Sequence, residues 1–159
     1  MFSLNEEQMN QSEIDWLVAN KDQVDFNGTL RSLIWEQKFA HLLGAKFVDR
    51  PGYDLLHPVL KRVEVKCSFS WHVINETVAF GGLKSKKGKC DNFLFYSGVL
   101  NQVALIKHDD LFKEGVLYED PNGSLHFRVK VKELKNNMAK KSPAIRAREL
   151  WLDNLIPFV

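Results

Sequence analysis

Residues 51–68 read PGYDLLHPVLKRVEVKCS. From Arg62 to Cys67 polar and apolar residues alternate, which is the pattern of a strand with one buried face. Val63, Val65 and Cys67 fall on one side; Arg62, Glu64 and Lys66 fall on the other. The polar side is unusual, because it sets a carboxylate and an amine two residues apart, with a further acid, Asp54, shortly upstream. The pattern fits either a hairpin whose charges face water or a chain that has gathered charges around a cation.

Register separates these readings. The stretch divides into two strands, about 53–57 and 61–67, joined through Pro58. With Pro58, Val59 and Leu60 as the loop, His57 pairs with Lys61 and Asp54 falls opposite Glu64. Directly opposed side chains share a face, with Cβ atoms roughly 5 Å apart. Two carboxylates placed so repel each other unless something positive lies between them. A two-residue loop would pair Asp54 with Val63 and dissolve the arrangement.

Acid-x-Lys is a common tripeptide, and this chain holds three: Glu36-Gln37-Lys38, Glu64-Val65-Lys66 and Glu133-Leu134-Lys135. Glu36 lies on an expected helix, where residues two apart do not face each other. Glu133 sits in a polar, lysine-rich segment. Only Glu64 and Lys66 lie on a strand, where a spacing of two puts both on one face. Two neighbouring carboxylates suit a hard divalent cation such as Mg²⁺, which takes oxygen ligands and keeps several waters. A water held there and directed at a phosphodiester would give metal-assisted hydrolysis.

Asp54, nine residues, then Glu64-Val65-Lys66 resembles the PD-(D/E)XK motif of the restriction-endonuclease-like nucleases, with Gly52-Tyr53-Asp54 where the leading Pro-Asp usually stands. The preceding helix, with Gly28, Trp35-Glu36-Gln37 and Leu43-Gly44-Ala45, is also similar to that family's pattern. The resemblance covers about residues 28–68 well and the later strands loosely. It implies a restriction-endonuclease-like core, an α/β fold with a central mixed sheet flanked by helices. It implies Asp54, Glu64 and the backbone carbonyl of Val65 as ligands of Mg²⁺, with Mn²⁺ as a substitute. Lys66 would serve the attacking water, and Glu36 would be a water-mediated or second-metal ligand. The implied activity is DNA endonuclease, with sequence-specific duplex cleavage of restriction or homing type expected from a homodimer. The alternatives are a structure-specific, Holliday-junction-resolvase-like nuclease, a non-catalytic nucleic-acid-binding domain, and a protein-interaction module docked through the acidic N-terminus.

The rest of the chain is compatible with this. Its 159 residues favour one domain, and 45% hydrophobic with 26% charged residues supports a real core. Residues 1–27 carry six acids and one lysine, so the net charge of +2 hides a basic body of +7 behind an acidic end of −5. A basic body suits a polyanion partner such as DNA. The two cysteines, Cys67 and Cys90, form no CxxC pair, and no secretory leader pattern is evident, so a reducing cytoplasm is expected. No apolar run approaches the ~20 residues of a membrane helix, so no membrane partner is expected.

Lys84, Lys86, Lys87 and Lys89 form a basic loop flanked by glycines, a candidate clamp on the DNA backbone. Ser70 and His72, just downstream of Lys66, are candidate substrate contacts. Arg146, in a second basic cluster with Lys130, Lys132, Lys135, Lys140, Lys141 and Arg148, is a candidate for phosphate or guanine. The other histidines show no metal-ligand spacing. Asp91 reads as a cap on the strand that follows it.

The expected elements are a short helix after Ser12, a helix over 29–43, a short strand at 46–48, the hairpin, an ambiguous segment over 71–80, and strands at 92–97 and 102–107. A hairpin over 116–119 and 124–131 and a helix over 143–155 follow. This divides the domain into an acidic helical segment (1–27), a catalytic core (28–110), and a hairpin with the C-terminal helix (111–159).

Overall fold

In the computed structural model, which describes residues 29–69, 77–131 and 143–157, helix α1 (Thr29–Leu43) leads into three antiparallel strands. These are β1 (Lys46–Arg50), β2 (Tyr53–His57) and β3 (Lys61–Ser68). Then come β4 (Thr77–Phe80), a 3-10 turn at Lys84–Lys86, β5 (Asn92–Ser97) and β6 (Gln102–Lys107). A one-turn helix α2 (His108–Leu111), the short β7 (Tyr118–Glu119), β8 (Leu125–Lys130), helix α3 (Pro143–Asp153) and β9 (Leu155–Ile156) complete it. The central sheet has six strands in the order β1-β2-β3-β5-β6-β9, with β3 and β5 parallel and every other pair antiparallel. A second sheet, β4-β8-β7, is antiparallel throughout. This is the mixed α/β fold, a mixed sheet flanked by helices, that the sequence leads one to expect.

The hairpin loop has the three residues Pro58, Val59 and Leu60, with His57 opposite Lys61, Leu56 opposite Arg62 and Leu55 opposite Val63. His57 builds this turn. Its Nδ1 accepts the backbone N–H groups of Val59 and Leu60, each at 3.0 Å. That leaves Nε2 as the protonated nitrogen, 3.0 Å from the carbonyl of Leu43 at the end of α1. Lys61 closes the loop with φ +62°, a conformation that usually falls to glycine.

Alternation along β5 explains why the sheet is buried on both faces. Leu94 and Tyr96 join Leu55, Val63, Val65 and Val103 under Phe39, Ala40 and Leu43 of α1. Phe93 and Phe95 join Ala104 and Ile106 under Val78, Phe80, Phe127 and Val129 of the small sheet and Ala147 and Trp151 of α3. A strand covered on both sides reads as a continuous apolar run, as NFLFYS does. In the parallel register Glu64 lies beside Phe93 and Lys66 beside Phe95, so both charged residues face the small sheet.

Two expectations change at the C-terminal end. The last helix stops at Asp153, and Leu155 and Ile156 pair with Ala104 and Val103 as an edge strand. The hairpin strands are shorter than expected, because residues 116–117 are not part of β7. The expected helix after Ser12 and most of the ambiguous segment over 71–80 lie outside the described residues.

Candidate active site

The two strands of the hairpin place the acids. Glu64 is 3% exposed and Asp54 is 8% exposed, values carboxylates reach only when something compensates their charge. Beyond Leu55 and Val63 the ladder gives way to a side-chain bond, in which Val65 N–H donates to Asp54 Oδ2 at 2.9 Å. The bond anchors the Asp54 carboxylate to the strand that carries Glu64 and Lys66. Lys66 Nζ stands 3.9 Å from Glu64 Oε1.

A second lysine comes from far along the chain. The connection from β3 to β5 crosses the Glu64 face, as a parallel pair requires. Leu83, fully buried, pins it there. A Cβ on Gly82 would stand 3.4 Å from Lys66 Nζ, so the chain passes close above that lysine. Lys86 then reaches Glu64, Nζ to Oε1 at 3.1 Å.

Even so, negative charge is in excess. Burial pushes Asp54 up to about 7, and the nearby Glu64 charge adds to this against the Val65 N–H and Lys86. Burial also pushes Glu36, on α1, up to about 8, with Asp54, Asp49 and Glu64 adding to it and Lys66 opposing. Burial followed by the Glu36 and Asp54 charges raises the Cys67 thiol, which makes it an inert neighbour rather than a nucleophile. Glu36, Asp54 and Glu64 therefore sense one another across the α1–β2–β3 corner.

The residues fit a divalent metal on one observation above all. Glu64 Oε2 is buried and has no hydrogen-bond partner among the described residues. A buried acceptor left so costs about 1–3 kcal/mol, and more when charged. A cation beside it would remove that cost. Among the described residues no three His, Cys, Asp or Glu side chains form a group able to hold a metal by themselves. Two carboxylates with open positions are what Mg²⁺ accepts when waters and a phosphate complete its shell, and what a structural zinc would not.

The other candidates divide. Lys84, Lys87 and Lys89 are exposed, unlike Lys86. Arg146 donates to the carbonyl of Glu114 at 3.1 Å and lines a shallow concavity with Asp110, Glu114, Glu149 and Asp153. Ser70 and His72 lie outside the described residues. Asp91 does not cap the strand that follows it: its carboxylate accepts the N–H of Arg62 on β3 and pairs with the Arg62 guanidinium, both at 3.0 Å, stapling the start of β5 to β3. Sequence reading treats the four loop lysines alike; nothing in their spacing singles out Lys86. Asp49, at a bulge in β1 with φ +44°, also escapes it.

No protein-family model and no curated protein matches the sequence. Among solved structures, the bacterial homing endonuclease I-Ssp6803I is similar over 76% of this chain and 83% of its own, at 17% sequence identity and a TM-score of 0.47. No helix among the described residues is long and apolar enough to cross a membrane.

Proposed function

We propose that the chain is a Mg²⁺-dependent DNA endonuclease that hydrolyses phosphodiester bonds at specific sequences in duplex DNA, an activity of restriction or homing type. The observation that carries the reading is the buried Glu64 Oε2, without a partner among the described residues, on a strand face shared with Lys66 and tied to Asp54. Asp54, Glu64 and the Val65 carbonyl would hold the metal, and Mn²⁺ suits the same oxygens. When bound, Mg²⁺ supplies a Lewis acid for the phosphoryl oxygen and lowers the pKa of a water.

The protein's own residues do the rest. Glu64 and Asp54 fix the place of the charge, and the Asp54–Val65 bond fixes Asp54. Lys66, with its ammonium beside Glu64, orients the attacking water and offsets the charge that builds on phosphorus. Water oxygen bonds to phosphorus, the bond to one ester oxygen breaks, the water gives up a proton and the leaving oxygen gains one. Glu36, which burial and the neighbouring acids raise to about 8, would hold a bridging water or a second metal, and solvent takes up and returns the two protons. One site cuts one strand, so double-strand cleavage calls for a homodimer.

The test is incubation of the protein with mixed-sequence plasmid and with a four-way junction, in Mg²⁺ or in EDTA. Discrete plasmid fragments only with Mg²⁺ support the reading. Cuts confined to the junction would replace it with a resolvase, and no cutting of any substrate would leave a binding domain.

A further inference from the structure

We infer that the outer face of the β4-β8-β7 sheet enters the major groove of duplex DNA, with Arg128 as the base-reading residue and Lys84 and Lys130 as flanking phosphate contacts. The inference takes DNA as the partner from the reading above and adds the surface that grips it.

The face is set by register. Phe127 and Val129 of β8 point into the core, so His126, Arg128 and Lys130 point away from it. Opposite them stand Tyr118 on β7 and Ala79 on β4, in unbroken pairing, while Thr77, opposite Lys130, is only 7% exposed, so the open part of the face runs from Ala79 and Arg128 to His126 and Tyr118. The outer face is therefore basic and carries a small residue beside Arg128.

Arg128 differs from the arginines around it. Arg62 is committed to Asp91, Arg146 to the Glu114 carbonyl, and Arg148 to the carbonyls of Lys130 and Val131. The Arg128 guanidinium instead lies over the Tyr118 ring, 3.8 Å from its centroid, with no ion pair among the described residues. Stacking holds a planar fork in place without using its N–H donors, and such a fork matches O6 and N7 of guanine. Asp120 does not compete for it, because its carboxylate is held by His126 Nε2 at 3.0 Å.

Dimensions and position agree. Two-residue steps of ~6.8 Å along a strand place Lys130 and the His126 end roughly 14 Å apart, close to the ~12 Å width of the major groove. Lys84 stands at that end, its Nζ 3.6 Å from where a Cβ on Gly123 would lie. The face is also continuous with the candidate active site. A Cβ on Gly81 would meet His126 Nδ1 at 3.2 Å, and the adjoining Gly82 lies against Lys66.

Anisotropy titration of fluorescent duplexes in EDTA at several salt concentrations tests this, with melting temperatures to check folding. Arg128→Ala is expected to weaken binding about 10-fold or more. Lys84→Ala and Lys130→Ala are each expected to lower the salt slope by about one. Arg128→Lys keeps the charge, so it should preserve the slope and erase preference between duplexes that differ at a G·C pair. Wild-type affinity, slope and preference in all four folded variants would overturn the surface, as would a wild type that binds no duplex. Binding effects as expected, with no cleavage in Mg²⁺, would sustain the surface and remove the nuclease reading. Cleavage by the wild type with unchanged variants would do the reverse.

Discussion

Lys86 Nζ lies 3.1 Å from Glu64 Oε1, closer than Lys66, the lysine of the same strand, at 3.9 Å. The nearer cation therefore comes from the chain that crosses the sheet, 22 residues further on. Its ammonium stands where a buried carboxylate needs positive charge, and a metal would compete with it. Lys86→Ala should destabilise the metal-free protein by about 1–3 kcal/mol, since it strips a hydrogen-bonding partner from a buried acid. The same change should tighten Mg²⁺ binding, because a competing charge is gone. Calorimetric titration of Mg²⁺ into wild type and variant checks this; equal affinities would sink the idea of competition.

Lys66→Ala should remove cleavage and spare binding. A positioned proton-handling or charge-stabilising side chain contributes about 10²–10⁴-fold in rate. The loss should lie in that range or beyond detection, with duplex affinity in EDTA within about threefold of wild type. Retained cutting would show that the lysine of the triplet is an ordinary strand residue.

Asp54→Asn separates function from stability. The Asn carbonyl can keep the Val65 N–H bond while the charge disappears. Asp54 and Glu36 both titrate above their ordinary range in the fold, at about 7 and about 8. A raised carboxyl favours its neutral form when folded. That stability is complete below the unfolded value near 4 and is lost as pH rises through the folded value. In EDTA the wild-type melting temperature should fall from pH 5 to pH 8.5, and Mg²⁺ should restore more of it at pH 8 than at pH 6. Asp54→Asn should cut no DNA, melt higher than wild type in EDTA at pH 8, and show a flatter pH profile. A steeper fall in the variant would contradict the assignment of the excess charge to Asp54.

What the sequence made legible follows from locality. Helix α1 ends where Gly44 takes φ +66°, and β5 is an unbroken apolar run. The hairpin is short enough for its loop to dictate register, so the local pattern alone brings Asp54 and Glu64 together. Contacts made by the crossover were not legible. Lys86 meets Glu64 only because β3 and β5 are parallel and Leu83 is buried between sheets, which depends on tertiary packing. The stacking of Arg128 on Tyr118 depends on β7–β8 register in the same way. The chain's turn at Asn154 into an edge strand is set by pairing with Val103 and Ala104, a long-range choice that helical periodicity does not contain.

The turn that fixes this register makes its own prediction, with opposite signs at two neighbouring positions. His57 ties Val59, Leu60 and Leu43 together, so His57→Ala leaves two amides and a carbonyl without their partner. That should cost about 1–3 kcal/mol, or roughly 3–10 °C in melting temperature for a domain of this size. Lys61, at φ +62°, should instead gain from glycine by about 1 kcal/mol, because the left-handed backbone is strained for any side chain. If register at His57–Lys61 is what seats Asp54 against Val65, His57→Ala should also lose cleavage well below its melting temperature, while Lys61→Gly keeps it. Thermal melts and plasmid cleavage at 20 °C below each variant's own midpoint decide it. Full activity in His57→Ala would mean that the Asp54–Val65 bond holds the carboxylate without help from the turn.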